Sequence, residues 1–356
     1  MNITFYTPML KLSGGNIVMF KYAQSLACSG HCVTVIAPHT DFIDKIENGI
    51  HIKTFKKFPN KYFEHLFFQL IYLNKFLELT PVSDVIIPVF FPLSVHAIFA
   101  KMKGRTKKVI ALFQDFREMF WFGRYIFFLL KLKTLTQMID EFIAISTPIA
   151  KEIEKYTKRK PIIVKNGIEH EYFYPRNIEK ENYILFVGSS SKMKGLKYFI
   201  DAFLIIKKEF PNIKAKIVVP QHEKIEIPDI EVINIGSDRN KLGEIYSKAL
   251  VYVSLSLGDS FGLPPLEAMA CGTAVVMTNT TGAKEYAING ENGLVIPIKN
   301  AEKTAEAIIN LLKNSELRQK LEQNGIMTAK YYNWKESASQ LNDILTSCSE
   351  KNDVKS

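Results

Sequence analysis

Four side chains have the chemistry to engage a polar, phosphorylated ligand. Asp259 and Glu267 lie in SLSLGDSFGLPPLEAMACGTAVVMTNTTGAKEYAINGENGLVIP, residues 254–297, and Lys192 and Lys194 lie in GSSSKMKG, residues 188–195. Carboxylates accept hydrogen bonds from sugar or ribose hydroxyls, and amides at a turn or helix start face phosphate oxygens. The chain is predicted to bend at Gly262 and to begin a helix near Pro264 or Pro265, where a missing N–H is tolerated. Glu267 then falls in the first turn, and Ala274 to Met277 reads as the strand beyond. A plainer reading stands beside this one: a first-turn carboxylate is favourable against the helix dipole with no ligand at all, and lysines of this kind are commonly solvated. Two carboxylates also raise glycosidase chemistry. That reaction needs an acid and a nucleophile or base opposed across a glycosidic bond, and one loop running into one helix gives no such opposition. His31, His39, His51, His65, His96, His170 and His222 form no HExxH or Cys/His ligand set, so no metal is expected.

The elements that must position these residues read as alternating strands and helices. Asn2 to Tyr6 is a strand, Gly14-Gly15 opens a helix-like run that Gly30 ends, and Val33 to Ala37 is the next strand. Strand, glycine turn, helix and strand make a Rossmann-like half with an anion-binding helix start. No GxGxxG occurs there, which removes the best local support for a nicotinamide dinucleotide enzyme. Apolar runs at Val85 to Val89, Val109 to Phe113, Phe142 to Ile145 and Ile162 to Val164 continue a mostly parallel sheet. Gln114 and Asp115 follow one of these strands. They can meet an acceptor, or Asp115 can simply cap the next helix. Asn166-Gly167 is a strong turn former, and Pro175 supplies a boundary. Beyond it, strands at Tyr183 to Val187, Ala215 to Val219 and Val232 to Ile235 alternate with helices at 196–210, Leu242 to Ala249 and Ala301 to Leu312.

At 356 residues the chain can form two substantial cores, and its apolar and charged shares suit a globular protein. Cys28, Cys32, Cys271 and Cys348 lack a CxxC pair and the density of a secreted scaffold. No basic segment with an apolar signal core opens the chain, so the reading is a cytoplasmic protein. The net charge of +10 is uneven: His51 to Lys133 holds fourteen Lys/Arg against five Asp/Glu. That excess suggests an anionic neighbour, but no nucleic-acid-binding motif accompanies it, so nucleic acid is not expected. The stretches FEHLFFQLIYLNKFLELT and MFWFGRYIFFLLKLKTL mix bulky apolar residues with Lys or Arg. They suit the surface of an anionic membrane, with Trp121, Phe122, Phe127 and Phe128 at the interface and Lys131 and Lys133 beside them; an aromatic core helix with basic ends is the bland alternative. Arg124 interrupts the second stretch, so neither is a transmembrane span.

DSFGLPPLEAMACGTAVV, with GAKEYAINGENGLVIP behind it, resembles the donor-sugar signature of retaining glycosyltransferase family 4, whose members build bacterial glycoconjugates and polysaccharides. The resemblance implies the GT-B fold, an α/β architecture of two Rossmann-like domains facing across a cleft. On that reading residues 1–168 form the acceptor domain and 169–330 the nucleotide-sugar donor domain. Residues 331–347 form a helix packing back on the first domain, and 348–356 a frayed tail. The implied reaction moves a sugar, a hexose being the expectation, from a nucleotide diphosphate sugar to a hydroxyl of a saccharide or lipid-linked saccharide, with retention and with no metal or cofactor. Asp259 would orient sugar hydroxyls, Glu267 would hold the ribose, and Lys194 would stabilise the diphosphate. Gly188, Ser189, Lys192, Gly236, Ser260, Phe261, Gly262 and Leu263 would complete the donor site, with the Gly15 amide helping from the first domain and Gln114 and Asp115 on the acceptor side. Three positions depart from the pattern. The family's first glutamate is Asp259, shorter by a methylene, so its sugar contact must be remade by a backbone shift or a water. An arginine is replaced by Ser189, and a histidine before the aspartate by Gln114. These departures keep open a non-catalytic sugar-binding or interaction protein, and the fold also accommodates a nucleotide-sugar epimerase. Acceptor-dependent nucleotide release distinguishes the transferase from both.

Overall fold

A computed structural model of the chain describes residues 1–8, 10, 14–38, 49–56, 72–115, 136–221, 223 and 225–350. It divides into two compact units, Met1–Asn166 with Trp334–Ser356, and Gly167–Asn333. The division falls within the Asn166-Gly167 turn. Trp121, Phe122, Phe127, Phe128, Lys131 and Lys133, on which the membrane expectation rests, and the tail 351–356 lie outside the described residues.

Among its described residues the first unit has seven parallel strands: β1 (Asn2–Tyr6), β2 (Cys32–Pro38), β3 (Ile50–Phe55), β4 (Ser83–Pro88), β5 (Thr106–Phe113), β6 (Glu141–Ala144) and β7 (Ile162–Ile163). Their order in the sheet is β3-β2-β1-β4-β5-β6-β7. Runs such as VTVIA and VIALF are buried along their length, as parallel strands covered on both faces must be. Helix α1 (Gly14–Cys28) follows β1, α2 (Ser94–Met102) follows β4, and α3 (Thr147–Thr157) follows β6, N-capped by Ser146, whose hydroxyl accepts from the Ile149 amide. The last helix, Trp334–Glu350, belongs to this unit: Trp334 meets Tyr22 of α1 edge to face at 5.4 Å, His31 Nε2 and Asn342 Oδ1 are 2.6 Å apart, and Gln340 donates to the Ile163 carbonyl.

The second unit has six parallel strands: β8 (Glu181–Val187), β9 (Lys214–Val219), β10 (Ile230–Asn234), β11 (Ala249–Ser254), β12 (Ala274–Thr278) and β13 (Leu294–Ile296). The order β10-β9-β8-β11-β12-β13 repeats that of the first unit's leading six strands. Helix α4 (Leu196–Glu209) buries Phe199, Ala202, Phe203 and Ile206, spaced for one face, against strand residues such as Ile184, Ile217 and Val253. Helices α5 (Arg239–Lys248), α6 (Leu263–Ala270), α7 (Ala301–Lys313) and α8 (Ser315–Ala329) complete it.

Several strands start earlier than their apolar runs. β4 and β5, for example, pair from Ser83 with Thr106, because backbone pairing outlasts the buried stretch. The edge strand β3 and helices α2, α3 and α8 escaped the sequence reading. In IHIKTF only Phe55 is buried, and α8 buries only Leu321, Gly325 and Ala329, so neither shows a clear apolar period. One local expectation is corrected. Helix α6 starts at Leu263, before either proline, with Gly262 as its N-cap at φ 82°. Glu267 therefore lies in the second turn rather than the first. It is only 4% exposed, which removes the reading of an exposed dipole-favoured carboxylate.

Candidate functional site

In the second unit the chain leaves β8 toward β9 and β10, and leaves β11 toward β12 and β13, so the direction of winding reverses between β8 and β11. Such a switch point opens a crevice beyond the carboxyl ends of the two strands, where open α/β sheets bind ligands. The loops that line this reversal carry the residues singled out in the sequence.

After β8, residues 188–191 lead into a single turn of 3-10 helix, Lys192–Lys194, capped by the Ser191 hydroxyl and ended by Gly195 in the left-handed region at φ 76°. A Cβ on Gly195 would lie 2.1 Å from the Leu255 carbonyl oxygen, and the Leu257 amide donates to the Met193 carbonyl at 2.8 Å. The turn is thus fastened to the chain leaving β11. This brings Lys194 Nζ within 3.0 Å of Asp259 Oδ1, an ion pair across the switch point. The side chains are 38% and 22% exposed, so the pair adds little to stability, and its interest is the arrangement of charge. Lys192 is exposed, and Gly188 and Ser189 are half-buried. The Ser190 amide donates to the Glu223 carboxylate at 2.7 Å, a contact unforeseen from the sequence.

The loop after β11 is held from beneath. Gly282 donates its amide to the Asp259 carbonyl at 2.7 Å, and a Cβ on Gly282 would come within 2.5 Å of the Phe261 backbone. The Tyr286 hydroxyl donates to the Gly262 carbonyl at 2.8 Å, and burial raises that phenol well above its ordinary range, so it remains a donor. Phe261 itself is buried among Tyr286 and Tyr332, with ring centroids 6.2 and 5.7 Å away. Its side chain anchors the loop, leaving the backbone of Ser260 to Leu263 as the part that can approach a ligand.

Glu267 is held by a network with no sequence signal. Arg239, the first residue of α5, donates from Nη2 to Glu267 Oε1 at 2.7 Å and from Nε to Glu169 Oε2 at 2.9 Å. Its guanidinium lies 4.6 Å over the Phe173 ring. The Tyr246 hydroxyl donates to Glu267 Oε2 at 3.3 Å. Burial alone would lower the Arg239 pKa, but Glu267 and Glu169 together raise it above its ordinary value. Gly236, three residues before Arg239, is exposed at φ 60° beside the Gln221 side chain.

The first unit has a quieter counterpart. Gly15 lies in the first turn of α1, and a Cβ there would stand 2.7 Å from Gln114 Oε1. That oxygen is buried and has no hydrogen-bond partner among the described residues. The fold therefore brings together Gly15 and Gln114, which the sequence had assigned to donor and acceptor sides. Asp115 follows, half-buried.

Two sheets of one winding, with ion-paired loops at the second's switch point, define a two-Rossmann protein of GT-B type. Over its whole length the chain is similar in fold to the Anabaena protein HepE, solved in complex with UDP-glucose, with a TM-score of 0.78 at 16% identity, covering 98% of this chain and all of that one. Residues 169–328, within the second unit, match the family described as Glycosyl transferases group 1. An uncharacterized glycosyltransferase of Methanocaldococcus jannaschii is 31% identical over 216 residues, 60% of this chain and 59% of that protein. The N,N'-diacetylbacillosaminyl-diphospho-undecaprenol alpha-1,3-N-acetylgalactosaminyltransferase of Campylobacter jejuni is 27% identical over 177 residues, 48% of this chain and 46% of that enzyme. The matched stretch thus spans about half the length of these relatives.

Proposed function

We propose that the chain is a retaining glycosyltransferase that moves a hexose-like sugar from a nucleotide diphosphate sugar to a hydroxyl of a saccharide or lipid-linked saccharide, without a metal. The observation that carries this reading is the Lys194–Asp259 pair at the β8/β11 switch point, with Glu267 on the adjoining helix. Lys194 meets the diphosphate and offsets the charge it gains on leaving. Asp259, paired with Lys194, takes the sugar hydroxyls. Glu267 accepts from the ribose. On the first unit, Gln114 and Asp115 serve the acceptor, and the Gly15 amide at the start of α1 offers a donor to an anion. The bond between the anomeric carbon and the diphosphate oxygen breaks as the acceptor oxygen bonds to the same face. The acceptor's proton passes to the departing diphosphate. NMR of the product anomer tests this directly: retention of the donor's configuration is expected, and inversion would overturn the mechanism.

The basic excess over residues 51–133 supports an acceptor held at an anionic membrane surface. Lys103, Lys107 and Met102, 69% exposed, lie together where α2 turns into β5. Among the described residues no helix is long and apolar enough to cross a membrane, and the association proposed is a peripheral, electrostatic one. Sedimentation with anionic vesicles should exceed that with neutral ones and weaken in Lys131 and Lys133 variants. Equal, negligible binding to both would leave a soluble acceptor.

A further inference from the structure

Glu267 is set apart from Asp259 by the company it keeps. Two buried carboxylates, Glu169 at 7% exposure and Glu267 at 4%, share the Arg239 guanidinium. A buried carboxylate needs its remaining lone pairs satisfied, and each oxygen of Glu267 accepts one bond, Oε1 from Arg239 and Oε2 from Tyr246. A neutral pair of hydroxyls is suited to that vacancy, since a further anion would be repelled and the guanidinium already supplies the cation. The geometry fixes the carboxylate plane as well. Arg239 is itself held on three sides: by Glu169, by the face of Phe173, and by its place at the start of α5, which Asp238 caps through the Lys241 amide. Glu169 lies three residues beyond Asn166, at the start of the second unit, so this clamp spans from that unit's first residues to α6.

We propose that Glu169 and Arg239 are positioning residues for ribose recognition: they orient the Glu267 carboxylate so that its free lone pairs meet the two hydroxyls of the donor's ribose. This rests on the assignment of Glu267 to ribose made above. Neither residue touches the reacting carbon, so their loss should raise the KM for donor while leaving kcat nearly unchanged. A purely structural role would lower melting temperature without altering which nucleotide is preferred.

The test compares calorimetric affinities of the full-length protein for UDP, GDP and ADP with those for the matching 2',3'-dideoxynucleoside diphosphates. The parent should prefer the ribose form of its best nucleotide by at least about tenfold, the loss expected when a charged acceptor is left without its donors. Glu267→Gln should remove most of that preference. Arg239→Gln should remove it to a similar extent, and the isosteric Glu169→Gln, chosen because it keeps Arg239 and is the milder change to the fold, should reduce it severalfold. Loss in Glu267→Gln with full preference retained in Glu169→Gln and in any folded Arg239→Gln would overturn the positioning role and leave the ribose assignment standing. Full preference in Glu267→Gln would overturn that assignment and this inference with it.

Discussion

The carboxyl ends of the two sheets can be set side by side, because both sheets wind in the same order from their first strand. Among the described residues of the first unit near this edge, Gly15 lies against the Gln114 amide and the Thr7 hydroxyl donates to Asn16 at 3.2 Å, with the half-buried Asp115 as the charged group beside them. The deeply buried imidazole of His96 is pushed down to about 3 by burial and lies 4.9 Å from the Phe76 ring. In the second unit the corresponding loops carry Lys194 with Asp259, and Arg239 between Glu169 and Glu267. Two scaffolds of one topology thus differ in electrostatic endowment, and fold alone does not assign the chemistry. Charge that is paired yet half-exposed, as at Lys194, stabilises little and is available to a ligand.

The largest effect should follow from removing that charge. Lys194→Ala is expected to lower turnover by about a hundred- to a thousandfold, the range seen when one preorganised stabilising group is lost. Steady-state assays check it, and a loss under threefold would place the diphosphate elsewhere. Next comes the loop's foundation. Gly282→Ala puts a Cβ against the Phe261 backbone, where neither atom can yield as a flexible side chain would. It should destabilise the second unit by about 2 kcal/mol or more through overpacking, read by denaturant unfolding, whereas Gly290→Ala meets no atoms within 4 Å and loses only what its positive φ imposes. Asp259→Ala should reduce turnover about tenfold or more while nucleotide affinity changes little, as for a group whose bond is realised at the sugar. Equal turnover at saturating donor would return Asp259 to a merely structural partner of Lys194.

At pH 7 the effect belonging to the first unit is the smallest, and it grows only on acidification. His96 in the folded state has a depressed pKa, so the unfolded chain binds its proton first as pH falls. The stability tied to its neutral form is complete above pH 6.5 and declines toward pH 3, by about 1.4 kcal/mol per pH unit at most. Denaturant titrations at pH 7, 6 and 5 should show a shallower acid decline in His96→Gln than in the parent.

Much of the scaffold was legible because parallel strands buried on both faces write themselves as continuous apolar runs, as in VTVIA, YILFV and AVVMT. Lys194 and Asp259 were legible as chemistry, though nothing in two segments 65 residues apart specifies a 3.0 Å contact. What stayed hidden was long-range and polar. Arg239 reads as one residue after a helix cap, and its reach to Glu169 and Glu267 depends on where α5 and α6 dock. Glu267 was misplaced because two prolines drew the predicted helix start forward, whereas the left-handed Gly262 starts it earlier and turns the carboxylate inward. Gly282 carries no local sign that a backbone must pass within contact of it.

If the second unit's charged loops serve sugar transfer, the protein should turn over a donor when incubated with a panel of nucleotide sugars, with and without saccharide and lipid-linked acceptors. Mass spectrometry then follows nucleoside diphosphate and product. One donor should be consumed, with nucleoside diphosphate released in step with an acceptor that gains one sugar, and Lys194→Ala should abolish most of it. Donor binding without turnover across the panel, or conversion of the donor to an epimer with no acceptor present, would contradict the account.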